Sequence, residues 1–122
     1  MKVVIKEPAG KPYVRNVKNE LKTFQDIVGG HIEHVAYETP AGTVGLICNE
    51  GGKILGLDEC IPVVDDSGTF IADVVVGTVA VVGTDIEEGE FIDLTTEQTE
   101  YLLKDLSEKS IKDRFERCIR LA

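Results

Sequence analysis

The run from Phe70 to Val82 is dominated by valine and isoleucine and is broken by Asp73 and Gly77. β-Branched side chains lose χ1 freedom in a helix and pack well on a pleated surface, so this run is read as strand. Gly77 marks a bulge or bend within it. The stretch is too short and too interrupted to span a bilayer. A chain built around such a segment needs partner strands, and the sequence supplies them.

Val3-Val4-Ile5 reads as a first strand, stopped by Pro8-Ala9-Gly10-Lys11-Pro12, with Tyr13 to Val17 returning as a hairpin. Leu21, Phe24, Ile27 and Val28 recur on one helical face; Asn19 is the expected N-cap and Gly29-Gly30 the stop. His31 to Tyr37 reads as a strand ending at Thr39-Pro40-Ala41-Gly42. Thr43 to Cys48 follows as another, and after Asn49-Glu50-Gly51-Gly52 the segment Lys53 to Leu57 is expected to return in a meander. Asp58 to Thr69, with its Pro and the turn Asp65-Asp66-Ser67-Gly68, reads as loop, and Phe91 to Leu94 as a short strand.

Thr95 and Gln98 form a capping box that opens a helix carrying Tyr101, Leu102 and Leu106. Ile111, Phe115, Cys118 and Ile119 continue its apolar stripe out of phase, which predicts a kink or two helices, with Ser107 as a second cap. The fold class is therefore α+β: a mainly antiparallel twisted sheet, one short early helix near 19–28, and a C-terminal helical segment packed on it. At 122 residues the expectation is one domain, with a sheet-rich part over 1–94 and a helical part over 95–122. That last segment covers its own sheet or a neighbour's, so a homo-oligomer stays open.

Charge is unevenly spread. Between Thr23 and Glu100 there are sixteen acidic residues and one Lys/Arg, Lys53, whereas residues 1–22 and 101–122 each carry six Lys/Arg. The net charge of −9 argues against docking on duplex nucleic acid or an anionic membrane. An acidic surface suits a basic protein partner, and it also keeps a domain soluble. The acids fall in turns: Glu50, Asp58-Glu59, Asp65-Asp66, Asp85 and Glu87-Glu88. Three cysteines, Cys48, Cys60 and Cys118, are odd in number and widely spaced, which fits reduced cytoplasmic thiols. The short, charge-broken start at Met1 is not read as an export signal.

The candidate chemistry is sparse. His31-Ile32-Glu33-His34 places His31 and Glu33 on one face if it is a strand, but a metal needs a third ligand. The Pro-Cys-x-x-Cys that completes a zinc deaminase signature is missing, as is His-Glu-x-x-His. Cys48 followed by Asn49 invites a nucleophile reading, against the commoner role of cysteine as a small buried hydrophobe. Gly51-Gly52-Lys53 lacks the rest of a phosphate loop, and Asp65, Asp66 and Ser67-Gly68 lack calcium-loop spacing. Lys11, Tyr13, Arg15 and Lys53 are the candidates for a phosphate or nucleotide site. No catalytic residue, cofactor or metal is expected.

Lys2-Val3-Val4-Ile5-Lys6-Glu7-Pro8, Val28-Gly29-Gly30, Ile32-Glu33, Cys48-Asn49-Glu50-Gly51-Gly52-Lys53 and Asp73-Val74-Val75-Val76-Gly77-Thr78, in this order, resemble a small domain-of-unknown-function family numbered 3846, found in phages, plasmids and Gram-positive bacteria. The resemblance covers roughly Met1 to Leu103. It carries no catalytic residue to transfer and implies a mobile-element, cytoplasmic context, in which small acidic accessory proteins block host defences. The leading expectation is a small, acidic, non-catalytic binding protein that occludes a host protein with a basic surface, in the host cytoplasm. Its acidic face would be Glu38, Glu50, Asp58, Glu59, Asp65 and Asp66, with Asn49 beside it. The alternative is a nucleotide-binding or sequestering protein; a small hydrolase using Cys48 or the His31/Glu33 pair is the third.

Overall fold

Alternation in the first strand sets the layers. Val3 and Ile5 turn to one side of the sheet and Val4 to the other, and none is more than 1% exposed. The structure is a computed structural model and describes residues 1–64 and 71–108. β1 (Lys2–Lys6) pairs antiparallel with β2 (Tyr13–Asn16), followed by α1 (Leu21–Val28), the hairpin β3 (Ile32–Thr39) and β4 (Gly42–Asn49), and the short helix α2 (Gly52–Leu55). Next come β5 (Glu59–Val64), β6 (Ile71–Val76), β7 (Val79–Asp85), β8 (Glu90–Ile92) and α3 (Thr96–Glu108).

The main sheet runs β2-β1-β7-β4-β3, with β8 also paired to β7; β5 and β6 form a separate two-stranded sheet. On one face α1 packs Phe24 and Val28 against Val3, Ile5, Ile47, Ala80 and Val82. On the other, Ile61 and Val75 of the small sheet and Leu102 and Leu106 of α3 cover Val4, Val44, Leu46, Val79 and Val81. With both faces covered, the central strands β4 and β7 are apolar nearly throughout, as the valine run required. This is the α+β class read from the sequence. Among the described residues no helix is long and apolar enough to cross a membrane.

Several elements depart from the sequence reading. Lys53 to Leu57 is no return strand: Gly52–Leu55 is a helical turn closed by Gly56 at φ 70°. β4 already has β3 on one edge and β7 on the other, so no pairing lane is left for a returning chain. Asp58 to Thr69 was expected to be loop, yet Glu59–Val64 is a strand. Pro62 was the misleading signal, because a two-stranded sheet is all edge and a proline is tolerated there. The valine run is two strands in two different sheets. Gly77, at φ +77°, carries the chain from β6 to β7, a turn that an L-residue would enter at a cost. Asn19 does not cap α1. The cap is Glu20 without a side-chain bond, and Asn19 Nδ2 donates to the Phe91 carbonyl at 3.0 Å.

The Thr95 capping box is formed as expected, in both directions. Ser107, expected as a second cap, instead lies inside α3 and its hydroxyl donates to the Leu103 carbonyl; the apolar positions Ile111, Phe115, Cys118 and Ile119 lie outside the described residues.

Candidate functional site

The register divides the loops between the two ends of the main sheet. Val44 pairs with Gly83, so the Thr39–Gly42 turn and the Asp85–Glu90 turn share one end. Asn49 ends β4 at the other, where Val79 begins β7 beside Lys6. The acids divide with them. Glu38 accepts a hydrogen bond from Thr43 Oγ1 at 2.7 Å near the first end. From Thr43 to Asn49 the strand climbs six residues, about 20 Å. Glu50, Asp58 and Glu59 are exposed at that second end. Glu38 therefore stands apart from the other three, and Asp65 and Asp66 lie outside the described residues.

Asn49 is buried within the fold. Its Nδ2 donates to the Val28 carbonyl at 3.1 Å and its Oδ1 accepts from the Gly51 amide at 2.8 Å, which ties the end of α1 to the start of the next loop. That loop is compact. The Leu55 amide donates to the Gly51 carbonyl, and the Leu57 amide to the Gly52 carbonyl at 3.0 Å. Glu50 and Asp58 stand just before and just after this closed turn, both exposed. Gly52 is wedged in place, since a Cβ there would sit 2.8 Å from Val76 Cγ2. Lys53 reaches across to the small sheet and binds Asp73 Oδ1 at 2.6 Å. This bond and the Asp73 charge raise the Lys53 pKa; the same bond, with the Val74 amide, lowers that of Asp73. Ile54 and Leu55 stand outside, 94% and 66% exposed. Both fall within the Lys53–Leu57 segment expected as a strand, so the sequence does not single them out. Two aliphatics beside a Gly-x-x-x-Gly bracket were the signal available.

Cys48 and Cys60 are buried, and desolvation pushes each thiol up to about 11. The Glu33 and Asp73 charges add to the effect at Cys48. A nucleophilic cysteine needs the opposite shift, so neither thiol is poised for attack. His31 lies just before β3 and lines a shallow cleft of about 430 Å³ with Gln25, Asp26, Gly29 and Gly30. Glu33 instead lies opposite Cys48 on β3. His34 packs edge-on against Phe91 on the α1 side. Among the described residues no three His, Cys, Asp or Glu side chains gather to hold a metal ion.

The phosphate candidates are dispersed. Tyr13 and Arg15 sit opposite Ile5 and Val3 on the edge strand β2. Lys53 follows β4, three strands away or about 14 Å across the sheet, and is already paired with Asp73. The cleft beside α1 has neither Lys, Arg nor Tyr in its lining. Lys6, also basic, is buried with its ammonium turned onto the Glu7 and Pro8 carbonyls.

With this geometry in place, comparison with known proteins adds one result. The family model described as "Domain of unknown function (DUF3846)" matches residues 1–107, and the chain belongs to this family. The match takes in the whole sheet, the small sheet and nearly all of α3. No curated protein and no solved structure matches the chain.

Proposed function

We propose that the chain is a small non-catalytic binding protein of a phage or mobile element, working in the host cytoplasm. It acts by occluding a host protein with a basic surface, in the manner of a counter-defence inhibitor. The observation that carries this reading is the exposed acidic group Glu50, Asp58 and Glu59 at one end of the sheet, where Lys53 is paired with Asp73 and Lys6 is buried with its ammonium on the Glu7 and Pro8 carbonyls. Such a surface steers and holds a basic partner without any reacting group. The raised thiol pKa values of Cys48 and Cys60 favour occlusion over covalent chemistry.

The test is a pull-down from host lysate at low and high salt. A discrete partner retained at low salt and released at high salt is the expected result. A partner indifferent to salt, or none at all, overturns the reading.

A further inference from the structure

Among the described residues Ile54 and Leu55 are the most exposed adjacent pair of large hydrophobes. They are adjacent, and Ile54 is 94% exposed and Leu55 66% exposed. A single exposed aliphatic needs no explanation, but two side by side on a fixed loop mark a contact surface. The loop is fixed three ways: Gly52 is wedged against Val76, Gly56 closes the turn on the carbonyls of Gly52 and Lys53, and Lys53 is tied to Asp73. Little conformational freedom remains to be lost when the pair is covered, which favours binding.

The charges around the pair select what covers it. Glu50 and Asp58 leave the two feet of the loop, Glu59 follows Asp58, and the Glu33 charge is felt at both Cys48 and Lys53. Lys53 is cancelled by Asp73. Three exposed acids, Glu50, Asp58 and Glu59, thus lie within four residues of the apolar pair along the chain. A second copy of this chain is a poor occupant, because a two-fold contact would set one set of flanking acids against the other. We propose that the Gly51–Leu57 loop is a docking knob for a basic protein: Ile54 and Leu55 enter an apolar hollow, and Glu50, Asp58 and Glu59 meet Lys and Arg on its rim. This rests on the occlusion reading and gives it a place and anchors. An apolar centre with a polar rim is the usual anatomy of such contacts.

The probe is a synthetic amphipathic helix of leucine and lysine, titrated into the isotope-labelled protein and followed by amide shifts in NMR. Perturbations centred on residues 50–59, together with about tenfold or greater weakening in I54S/L55S at unchanged melting temperature, are the expected result. The triple change E50Q/D58N/E59Q should flatten the salt dependence. Shifts centred on Ile86 and Glu87-Glu88, or none, overturn the knob. So does a sedimentation-defined dimer that I54S/L55S dissolves, which would make the occupant a second copy. A salt-sensitive host partner that binds I54S/L55S as well as the parent chain also overturns the knob, while leaving the occlusion reading standing.

Discussion

Gly30 and Asn49 are packed so closely that a Cβ on residue 30 would lie 2.9 Å from Asn49 Nδ2. The contact matters because that amide joins α1 to the loop after β4, through Val28 and Gly51. Asn49→Ala removes both bonds and strands a buried carbonyl and an amide, at a cost of about 2–3 kcal/mol. Asn49→Asp should cost as much or more, since a carboxylate cannot donate to the Val28 carbonyl and meets the negative end of α1. Urea denaturation of the two variants checks both magnitude and order.

Gly83 presents a harder limit. A Cβ there would lie 2.5 Å from the Asp93 carbonyl oxygen and 2.9 Å from that of Ile92, both backbone atoms of the crossing chain. Gly83→Ala should therefore force β7 and β8 apart and cost about 2–3 kcal/mol, at the upper end of overpacking. Gly29→Ala is the useful contrast. Its φ is +78° but nothing stands within 4 Å, so only the backbone preference, about 1 kcal/mol, is at stake. Equal losses in the two variants would refute the steric account.

These glycines show where the sequence was readable. Local signals came through: the alternation in Val3-Val4-Ile5, the Gly29 stop of α1 and the Thr95–Gln98 box all describe contacts within a few residues. What failed depended on distant lanes. Whether Lys53–Leu57 pairs as a strand is decided by β7, more than twenty residues later, taking the open edge of β4. Pro62 looked like a loop residue because nothing local says that β5 has a free edge. The site suffered in the same way. Exposure of Glu50 and Asp58 was legible from turn chemistry, but the separation of Glu38 follows from register, and Ile54 was hidden by a wrong strand.

The thiols give a pH prediction. Cys48 and Cys60 are held near 11 in the fold against 9.0 for the unhindered group. Their raised values mean that the stabilising neutral thiol is fully in place below pH 9. The unfolded chain then releases protons that the folded chain retains, so stability falls as pH rises from 9 through 11. In a C118S background the folding free energy should be flat from pH 7 to 8.5 and then decline. The two thiols should resist iodoacetamide at pH 8 until denaturant is added. Rapid native-state labelling would contradict their burial.

The capping box couples α3 to the β3–β4 turn. Thr95 Oγ1 accepts from the Gln98 amide at 3.1 Å, Gln98 Oε1 accepts from the Thr95 amide at 3.0 Å, and Gln98 Nε2 also donates to the Ala41 carbonyl at 3.3 Å. Thr95→Ala loses an ordinary cap, about 1 kcal/mol. Gln98→Ala loses its half of the box and the tie to Ala41, so it should cost more than Thr95→Ala despite carrying the lesser half of a normal capping box. Gln98→Glu separates the two contributions. It keeps the acceptor for the Thr95 amide and gains from the positive end of α3, but as a carboxylate it sets charge against the Ala41 carbonyl. If the tie to Ala41 matters, Gln98→Glu should destabilise at pH 7 and recover as the carboxyl is protonated near pH 4, measured by thermal denaturation across that range. A Gln98→Glu variant as stable as the parent at pH 7 would show that the tie to Ala41 adds nothing to α3 docking beyond its apolar contacts and the buried bond from Tyr37 to Asp105.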